Sequence, residues 1–405
     1  MRVVVTNAFP DDNRGGAAIT TQTVRMLYEA FPGAEIALMA VRDEPDLSRA
    51  FRHVLAAFPA VRLLPPPVVV GDERGAGMRA LLRAVRAVLL ARQKGAAFSA
   101  LADADLVVSK GGHYFIDRPS WRRTSGLALL LLPLLYALRI GRPVVLSGAH
   151  VGPTARLSTR LLLGPVFRGA MAIAVRDDVS AATARRLGAP PGRIRILPDS
   201  AFAMPAPAPA EVERIVTQLG LRGKSFGIIC VRRKGAHTWQ LGQRMTTLAN
   251  ALLDAQLVDT LVGVVQVNPP EDDDMLVMRS VAARTEGRIV VVEEDLSPGE
   301  LVSLYAAAEW VVTSRLHAAI FSVIAETPAV CVSISDKARR VFGALGLHDW
   351  VVDASAPDGA IVALAKHMSD PDERARIEGP ARRCRATLEE NMVPLLRSAV
   401  DPSSL

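Results

Sequence analysis

The fold is indicated most clearly by one stretch, Trp310-Val311-Val312-Thr313-Ser314-Arg315-Leu316-His317-Ala318-Ala319-Ile320. An apolar, β-branched run changes here into a helical pattern, which is typical of a strand that enters a helix in an α/β protein. Open parallel sheets bind ligands at this edge, where the helix also directs free N–H groups and the positive end of its dipole. With Ser314 as the expected helix cap, Arg315 and His317 predict a site for a small anion whose reaction moves a proton.

The same alternation of short apolar runs and longer helical patterns extends over the whole chain. It predicts a parallel sheet covered on both faces in each half of the protein, and therefore an α/β fold. The predicted strands lie near residues 2–6, 34–40, 105–109, 143–147, 170–174 and 193–197, and then near 226–231, 260–267, 288–293, 309–313 and 328–334.

A domain boundary is predicted at Met204-Pro205-Ala206-Pro207-Ala208-Pro209-Ala210, because alternating proline cannot continue a helix or a central strand. The predicted parts are an N-terminal Rossmann-like domain (1–203), a C-terminal Rossmann-like domain (211–370) and a helical region (371–405). We expect the two Rossmann-like domains to face each other across a cleft, and the final helical region to be able to return to the first domain.

Composition narrows the classes of partner. The 405 residues carry a formal charge of +7, which favours anionic partners, but aromatic residues make up only 5%, too few for the stacking surfaces of a nucleic-acid binder. Three cysteines without a CxxC spacing indicate a reducing compartment and no zinc site, and no signal peptide is recognised, so a cytoplasmic location is expected. The apolar segment 126–138 contains Pro133 and is too short to span a bilayer; we interpret it as a buried helix.

Several polar segments have a structural as well as a functional interpretation. The glycine turns at 13–16 and 111–113 follow predicted strands and suit an oxyanion or a sugar hydroxyl against bare backbone. Asp177 and Asp178 open a helix as capping acids, and the acidic run 271–274 is interpreted as a solvated helix start.

The segment 78–94 is basic and amphipathic, with arginines interleaved among leucine and valine and no acidic residue. It is either a helix through which the protein binds peripherally to an anionic membrane surface, or an ordinary surface helix of a basic protein.

Six sequence blocks in register resemble the polysaccharide pyruvyl transferase family. The most specific is V-T-S-R-L-H-A-A-I-F-S-V-I-A-E-T-P-A-V at 312–330, followed by Ser335-Asp336-Lys337. The others are Asn13-Arg14-Gly15-Gly16-Ala17-Ala18, Ser109-Lys110-Gly111-Gly112-His113-Tyr114, Ser147-Gly148-Ala149-His150-Val151-Gly152-Pro153, and Val175-Arg176-Asp177-Asp178-Val179-Ser180 with Leu197-Pro198-Asp199-Ser200-Ala201-Phe202. This chain departs from the family at Gly16, where an acid is common.

The resemblance implies a GT-B-like fold and transfer of pyruvyl from phosphoenolpyruvate to two hydroxyls of a glycan or lipid-linked saccharide. The product is a cyclic ketal, phosphate leaves, and no metal or organic cofactor is expected. The implied catalytic residues are His317 and Arg315. The implied phosphoenolpyruvate-binding residues follow predicted strands of one domain, so they can converge on one rim: Arg232, Arg233, Arg315 and Lys337.

The saccharide acceptor is expected in the first domain, with contacts from Asn13, Gly15, Gly111, Gly112 and His113. The candidates for the base that takes the hydroxyl protons are Asp177, Asp199 and His113. Two rival functions remain at this point: a GT-B-type glycosyltransferase that uses a nucleotide sugar, and a non-catalytic anion-binding protein on the same fold.

Overall fold

A computed structural model describes residues 1–69, 76–91, 94–117, 121–232, 238–267, 274–333 and 336–401, with backbone only for the helical residues 76–78, 121–124 and 238–242. The chain divides into two compact units. The first unit comprises 1–11, 16–200 and 386–405, and the second comprises 12–15 and 201–385. The division at Ser200 and Ala201 falls just before the proline-alternating stretch. The donor and acceptor roles that the sequence assigns to the two parts stay predictions.

Within the described residues, the first unit holds an eight-stranded sheet in the order β3-β2-β1-β4-β6-β7-β8, with β5 beside β6. Every pairing in it is parallel. The strands are β1 (Arg2–Ala8), β2 (Glu35–Ala40), β3 (Arg62–Leu64), β4 (Leu106–Ser109), β5 (Gly112–Phe115), β6 (Val144–Val151), β7 (Ala172–Val175) and β8 (Ile194–Ile196).

In the first half of the chain, helices separate most of the strands, as is typical of an α/β fold. They are α1 (Arg14–Ala30), α2 (Leu47–Ala50), α3 (Arg52–Ala57), α4 (Ala76–Leu90), α5 (Ala96–Asp103), α6 (Trp121–Arg139), α7 (Leu157–Gly169) and α8 (Asp178–Arg186). The interpretation of 126–138 as a buried helix is confirmed, because α6 continues through Pro133 and buries most of its leucines. Of the helices in the described ranges, none combines the length and apolar composition that crossing a bilayer requires.

The described part of the second unit holds a six-stranded sheet in the order β11-β10-β9-β12-β13-β14, again with parallel pairings only. The strands are β9 (Phe226–Cys230), β10 (Thr260–Gly263), β11 (Ile289–Val291), β12 (Val311–Thr313), β13 (Ala329–Ser333) and β14 (Val351–Asp353). The helices are α9 (Pro209–Gln218), α10 (Thr238–Asp254), α11 (Asp274–Arg284), α12 (Pro298–Ala306), α13 (Leu316–Ile324), α14 (Asp336–Ala344), α15 (Asp358–Met368) and α16 (Pro371–Ile377). The last helix, α17 (Pro380–Ser398), begins in the second unit, and its residues from 386 onward belong to the first unit.

Each sheet has one point at which the winding of the chain reverses. In the first sheet the chain runs from β1 through β2 to β3, and then crosses to β4 on the other side of β1. In the second sheet it runs from β9 through β10 to β11, and then crosses to β12 on the other side of β9. The carboxyl ends of β1 and β4, and of β9 and β12, therefore flank the crevices in which this fold class binds ligands.

The two parallel sheets confirm the predicted α/β class, but three strands were not predicted. β3 and β14 have three residues each and lie at the edges of their sheets, so they carry little apolar signal. β5 occupies part of the glycine turn expected at 111–113, since the backbone from Gly112 pairs with β6. The glycines at that point allow a strand to begin beside another backbone.

Candidate functional site

The loops after β9 and β12 are joined at the switch point of the second sheet. Thr313 pairs with Cys230 at the ends of these strands, and the Arg232 N–H donates to Ser314 Oγ at 2.8 Å. Ser314 was predicted to cap α13, and that was wrong, because its hydroxyl serves the neighbouring loop. The residue at the helix N-cap is Arg315, which makes no side-chain cap hydrogen bond.

Arg315 is held by a buried carboxylate. Its Nε donates to Asp274 Oδ2 at 2.9 Å and its second Nη donates to Asp274 Oδ1 at 2.5 Å, with side-chain exposures of 11% for Arg315 and 1% for Asp274. The interpretation of 271–274 as a solvated helix start is therefore wrong for Asp274; residues 271–273 lie outside the described residues. The bidentate pair fixes the orientation of the guanidinium at the end of β12.

His317 lies in the first turn of α13, against the backbone of Gly15. A Cβ atom on Gly15 would lie 2.2 Å from His317 Cγ and 2.3 Å from its Nδ1. Only a residue without a side chain fits this approach. Gly15 was expected among the acceptor contacts, whereas the structure places it in the second unit beside the predicted catalytic imidazole.

The residues around Gly15 are anchored to the second unit by several contacts. Asn13 forms an isolated antiparallel bridge with Val267, and the Arg14 N–H donates to the Gln266 carbonyl at 2.9 Å. The buried Arg14 side chain also forms an ion pair with Asp295. These contacts hold the 12–15 segment in place, so that the Gly15 backbone defines one wall beside His317.

The other predicted donor residues follow strands of the same sheet. Arg232 comes after β9 with an exposed side chain, and Lys337 lies in the first turn of α14, which follows β13. Arg233 lies outside the described residues. Because β9, β12 and β13 are neighbours in the sheet, the structure brings Arg232, Arg315, His317 and Lys337 to one edge. We call these four residues the second-unit rim.

The switch point of the first sheet carries a buried polar cluster. Ser109 Oγ donates to Asn7 Oδ1 at 2.7 Å, and Lys110 Nζ donates to the Gly16 carbonyl at 3.0 Å. Burial lowers the pKa of Lys110 to about 8, although the nearby Asp11 opposes the shift. Burial likewise raises the pKa of Asp11 to about 6 against hydrogen bonds from backbone amides.

Lys110 was missed as a functional candidate, although the sequence contains a signal for it. A single lysine follows the apolar run Leu106-Val107-Val108 after one serine, and it precedes two glycines. In the structure it is 2% exposed, where a cation is costly without partners. A buried, titratable group at a switch point is typical of a functional site.

His113, His150 and Asp177 form a chain of contacts. His113 is the second residue of β5, His150 lies near the end of β6, and Asp177 follows β7. The rings of exposed His113 and buried His150 have centroids 4.5 Å apart, and His150 Nδ1 lies 3.2 Å from Asp177 Oδ2. Asp177 also caps α8 by accepting from the Ser180 N–H, so its predicted capping role is confirmed. Burial raises the pKa of Asp177, but hydrogen bonds from His150 and Ser180 outweigh it and the net pKa is low.

Asp199 and Gly111 lie beside Arg176 in the same unit. The buried Asp199 carboxylate forms an ion pair with the Arg176 guanidinium, whose Nε also donates to the Gly148 carbonyl at 2.7 Å. A Cβ on Gly111 would lie 2.8 Å from that same carbonyl oxygen, so a side chain does not fit there. Asp199 is thus engaged as a structural counter-ion.

Several solved structures have the same architecture. HepE of Anabaena, solved with UDP-glucose, matches with a TM-score of 0.59 and 14% identity over 100% of both chains. UDP-GlcNAc 2-epimerase of Neisseria meningitidis, bound to UDP-GlcNAc, matches with a TM-score of 0.62 and 12% identity over 98% of this chain and 99% of that chain. At these identities the likeness shows the GT-B-like fold alone.

Sequence comparison is more specific. The amylovoran biosynthesis protein AmsJ of Erwinia amylovora is 24% identical over 403 residues, which span 91% of this chain and 92% of AmsJ. The family profile of polysaccharide pyruvyl transferases matches residues 13–336, a range that begins at the segment beside His317 and ends in the first turn of α14. It therefore includes the switch point of the second sheet and the second-unit rim apart from Lys337, and the chain belongs to the polysaccharide pyruvyl transferase family.

Proposed function

We propose that this protein transfers the pyruvyl group of phosphoenolpyruvate to two hydroxyls of a saccharide acceptor in exopolysaccharide synthesis. Family membership and the relative AmsJ support the polysaccharide context. The observation that carries the proposal is the position of His317, two residues after Arg315, in the first turn of a helix at the switch point of the second sheet.

The second-unit rim has the chemistry that phosphoenolpyruvate requires. The substrate carries a carboxylate and a phosphate, and the rim contributes Arg232, Arg315, His317 and Lys337 together with the N-terminus of α13. Cations and helix N–H groups bind such anions. Asp274 offsets the charge of Arg315 in the resting protein and keeps its guanidinium in one orientation.

The proposed reaction begins with protonation of the methylene carbon, which leaves an oxocarbenium-like C2. One acceptor hydroxyl attacks C2 and loses its proton to a base. The second hydroxyl then attacks C2 as the C–O bond to phosphate breaks, so that two new C–O bonds form the ketal. The two hydroxyls release two protons. One restores the proton that the protein gave to the methylene carbon, and the other leaves with phosphate or solvent. His317 is assigned either the first protonation or the neutralisation of the departing phosphate.

The test is a direct turnover assay. The full-length protein is mixed with phosphoenolpyruvate and a panel of oligosaccharides and lipid-linked saccharides, and phosphate release and acceptor mass are followed together. We expect stoichiometric phosphate release and a mass gain of one pyruvyl ketal. Parallel mixtures contain UDP-glucose or UDP-GlcNAc in place of phosphoenolpyruvate. Sugar transfer in those mixtures, with no use of phosphoenolpyruvate, would support the glycosyltransferase alternative and refute the proposal.

We assign the base to His113. Asp177 has a lowered pKa, which makes its carboxylate a weak proton acceptor, and it is held by His150 and Ser180. The buried Asp199 carboxylate is engaged by Arg176. His113 is exposed and its ring contacts that of His150. Imidazole is the side chain that most often serves as a general base, and the His150–Asp177 pair gives His113 a fixed neighbour.

His113→Ala is expected to lower kcat about a hundredfold, because a general base contributes roughly 10²–10⁴ to the rate. The KM for phosphoenolpyruvate should change little, since the proposed donor groups belong to the second unit. Steady-state kinetics of the variant and of His348→Ala, an exposed histidine in the second unit, measure this. Wild-type kcat in His113→Ala together with a large loss in Asp177→Asn would move the base to Asp177.

Gly15→Ala is expected to lower kcat at least tenfold, since the new methyl group would occupy the position of the His317 ring. Alanine favours the helix over glycine by about 0.5–1 kcal/mol, so loss of folding is not the expected cause. The matched control is Gly299→Ala: both glycines are second residues of helices, and a Cβ on Gly299 meets nothing within 4 Å. Steady-state kinetics and thermal melting of both variants measure the change in kcat and in stability. Normal turnover in Gly15→Ala would mean that the His317 position is not critical.

A further inference from the structure

The side-chain burial of helix α4 is unusual, because its small residues are buried and its large apolar residues are exposed. It buries small side chains, Ala80, Ala84 and Ala87, on the side that packs against α6. Its large apolar residues point outward instead, with Leu82 62% exposed, Leu89 68% exposed, and Val85 and Leu90 about half exposed. A surface helix normally buries its leucines, so an exposed apolar stripe of this kind marks a surface that contacts something else.

Positive charge is interleaved with this stripe. Arg79, Arg83 and Arg86 are exposed on α4, and the segment 76–94 contains no aspartate or glutamate. Helices that lie in a membrane interface have this composition, because leucines enter the boundary of the acyl chains while arginines contact anionic headgroups. We call the exposed side of α4, from Arg79 to Leu90, the α4 surface.

A second helix of the same unit repeats the pattern. α7 packs against α6, as α4 does, and exposes Leu157 to 69% and Leu161 to 67% beside the exposed Arg156 and Arg160. Two helices that contact α6 therefore both present large apolar side chains together with arginine. An isolated exposed leucine needs no explanation, but repetition on two helices of one layer indicates a common partner.

We propose that the α4 surface docks on an anionic lipid bilayer, with its leucines in the headgroup boundary. Charge decides between this occupant and a second copy of the chain. In a twofold contact the α4 surface would meet itself, and arginine would face arginine, because the sequence of α4 contains no aspartate or glutamate. An anionic bilayer offers the opposite charge. The docking does not depend on which reaction the protein catalyses.

The test uses the full-length protein and sedimentation with vesicles of phosphatidylcholine alone or mixed with phosphatidylglycerol. We expect binding to the mixed vesicles, weak binding to the neutral ones, and a decrease with added salt. Leu82→Gln/Leu89→Gln and Arg83→Gln/Arg86→Gln are each expected to lower the partition coefficient at least tenfold. The controls are Leu276→Gln, which changes a 55% exposed leucine of the second unit, and Arg222→Gln, which changes an exposed arginine there.

Three results would overturn the proposal. The wild-type protein could fail to bind the phosphatidylglycerol vesicles, or the α4 variants could bind as well as the controls. Analytical ultracentrifugation could also show a wild-type dimer that the α4 variants dissociate, which would assign the α4 surface to a second copy. Circular dichroism of each variant checks that it is folded, since all four side chains changed on α4 are exposed.

Discussion

His317→Ala is expected to lower the kcat of the proposed phosphoenolpyruvate-dependent phosphate release at least tenfold, and about a hundredfold or more if the imidazole transfers the proton. The variant removes the titratable group that the first turn of α13 presents beside Gly15. The same loss is expected for His317→Gln, which keeps a polar side chain but cannot carry the proton. Initial rates at saturating phosphoenolpyruvate and acceptor measure the effect.

The matched control for His317 is His348→Ala, an exposed histidine of the same unit, which should turn over at the wild-type rate. Melting temperatures of both variants should lie close to that of the wild type. Normal turnover in His317→Ala would place the chemistry elsewhere. It would also favour the non-catalytic alternative if phosphoenolpyruvate binding were likewise unchanged.

Arg315→Ala is expected to reduce both stability and turnover. The substitution leaves the Asp274 carboxylate buried without its bidentate partner, and removing one member of a buried ion pair costs about 3–5 kcal/mol in the free energy of unfolding. Turnover should fall at least tenfold, because a positive charge leaves the second-unit rim. Urea unfolding and steady-state kinetics measure the two effects separately.

The double variant Arg315→Ala/Asp274→Ala separates the two roles of the arginine. Removing the carboxylate also removes the uncompensated charge, so we expect most of the stability to return while turnover stays at least tenfold low. Recovery of both quantities would show that Arg315 serves only as the counter-ion of Asp274. Arg279→Ala is the control for arginine loss: both members of its pair with Glu293 are exposed, so its removal should change the free energy of unfolding little.

The order of strands and helices could be predicted because burial leaves a strong pattern in sequence. Strands such as β1, β9 and β12 are buried on both faces and read as continuous apolar, β-branched runs. The edge strands β3 and β14 escaped prediction because three residues at a sheet edge carry little of that pattern. The sequence also predicted that three cationic residues lie at one edge of the sheet: Arg232, Arg315 and Lys337. Each follows a predicted strand, and parallel strands bring their carboxyl ends to the same edge.

The partners of the site residues could not be predicted. Asp274 looked like one acid of a solvated run, but the structure buries it against Arg315, which lies 41 residues away. The contacts of His113 with His150, and of His150 with Asp177, likewise join three segments that are separated in the chain. The periodicity of apolar residues predicts which face of a segment is buried. It does not predict which distant segment packs against that face.

The sequence by itself determined the α/β class, the strand ends that carry the cationic residues and the family to which the chain belongs, because apolar periodicity and spaced motifs are local properties. Tertiary structure alone decided that Gly15 lies against His317, that Asp274 orients Arg315, and that Lys110 is buried at the first switch point. Each of these depends on packing between segments far apart in the chain, where side-chain volume and the cost of burying a charge select the neighbours.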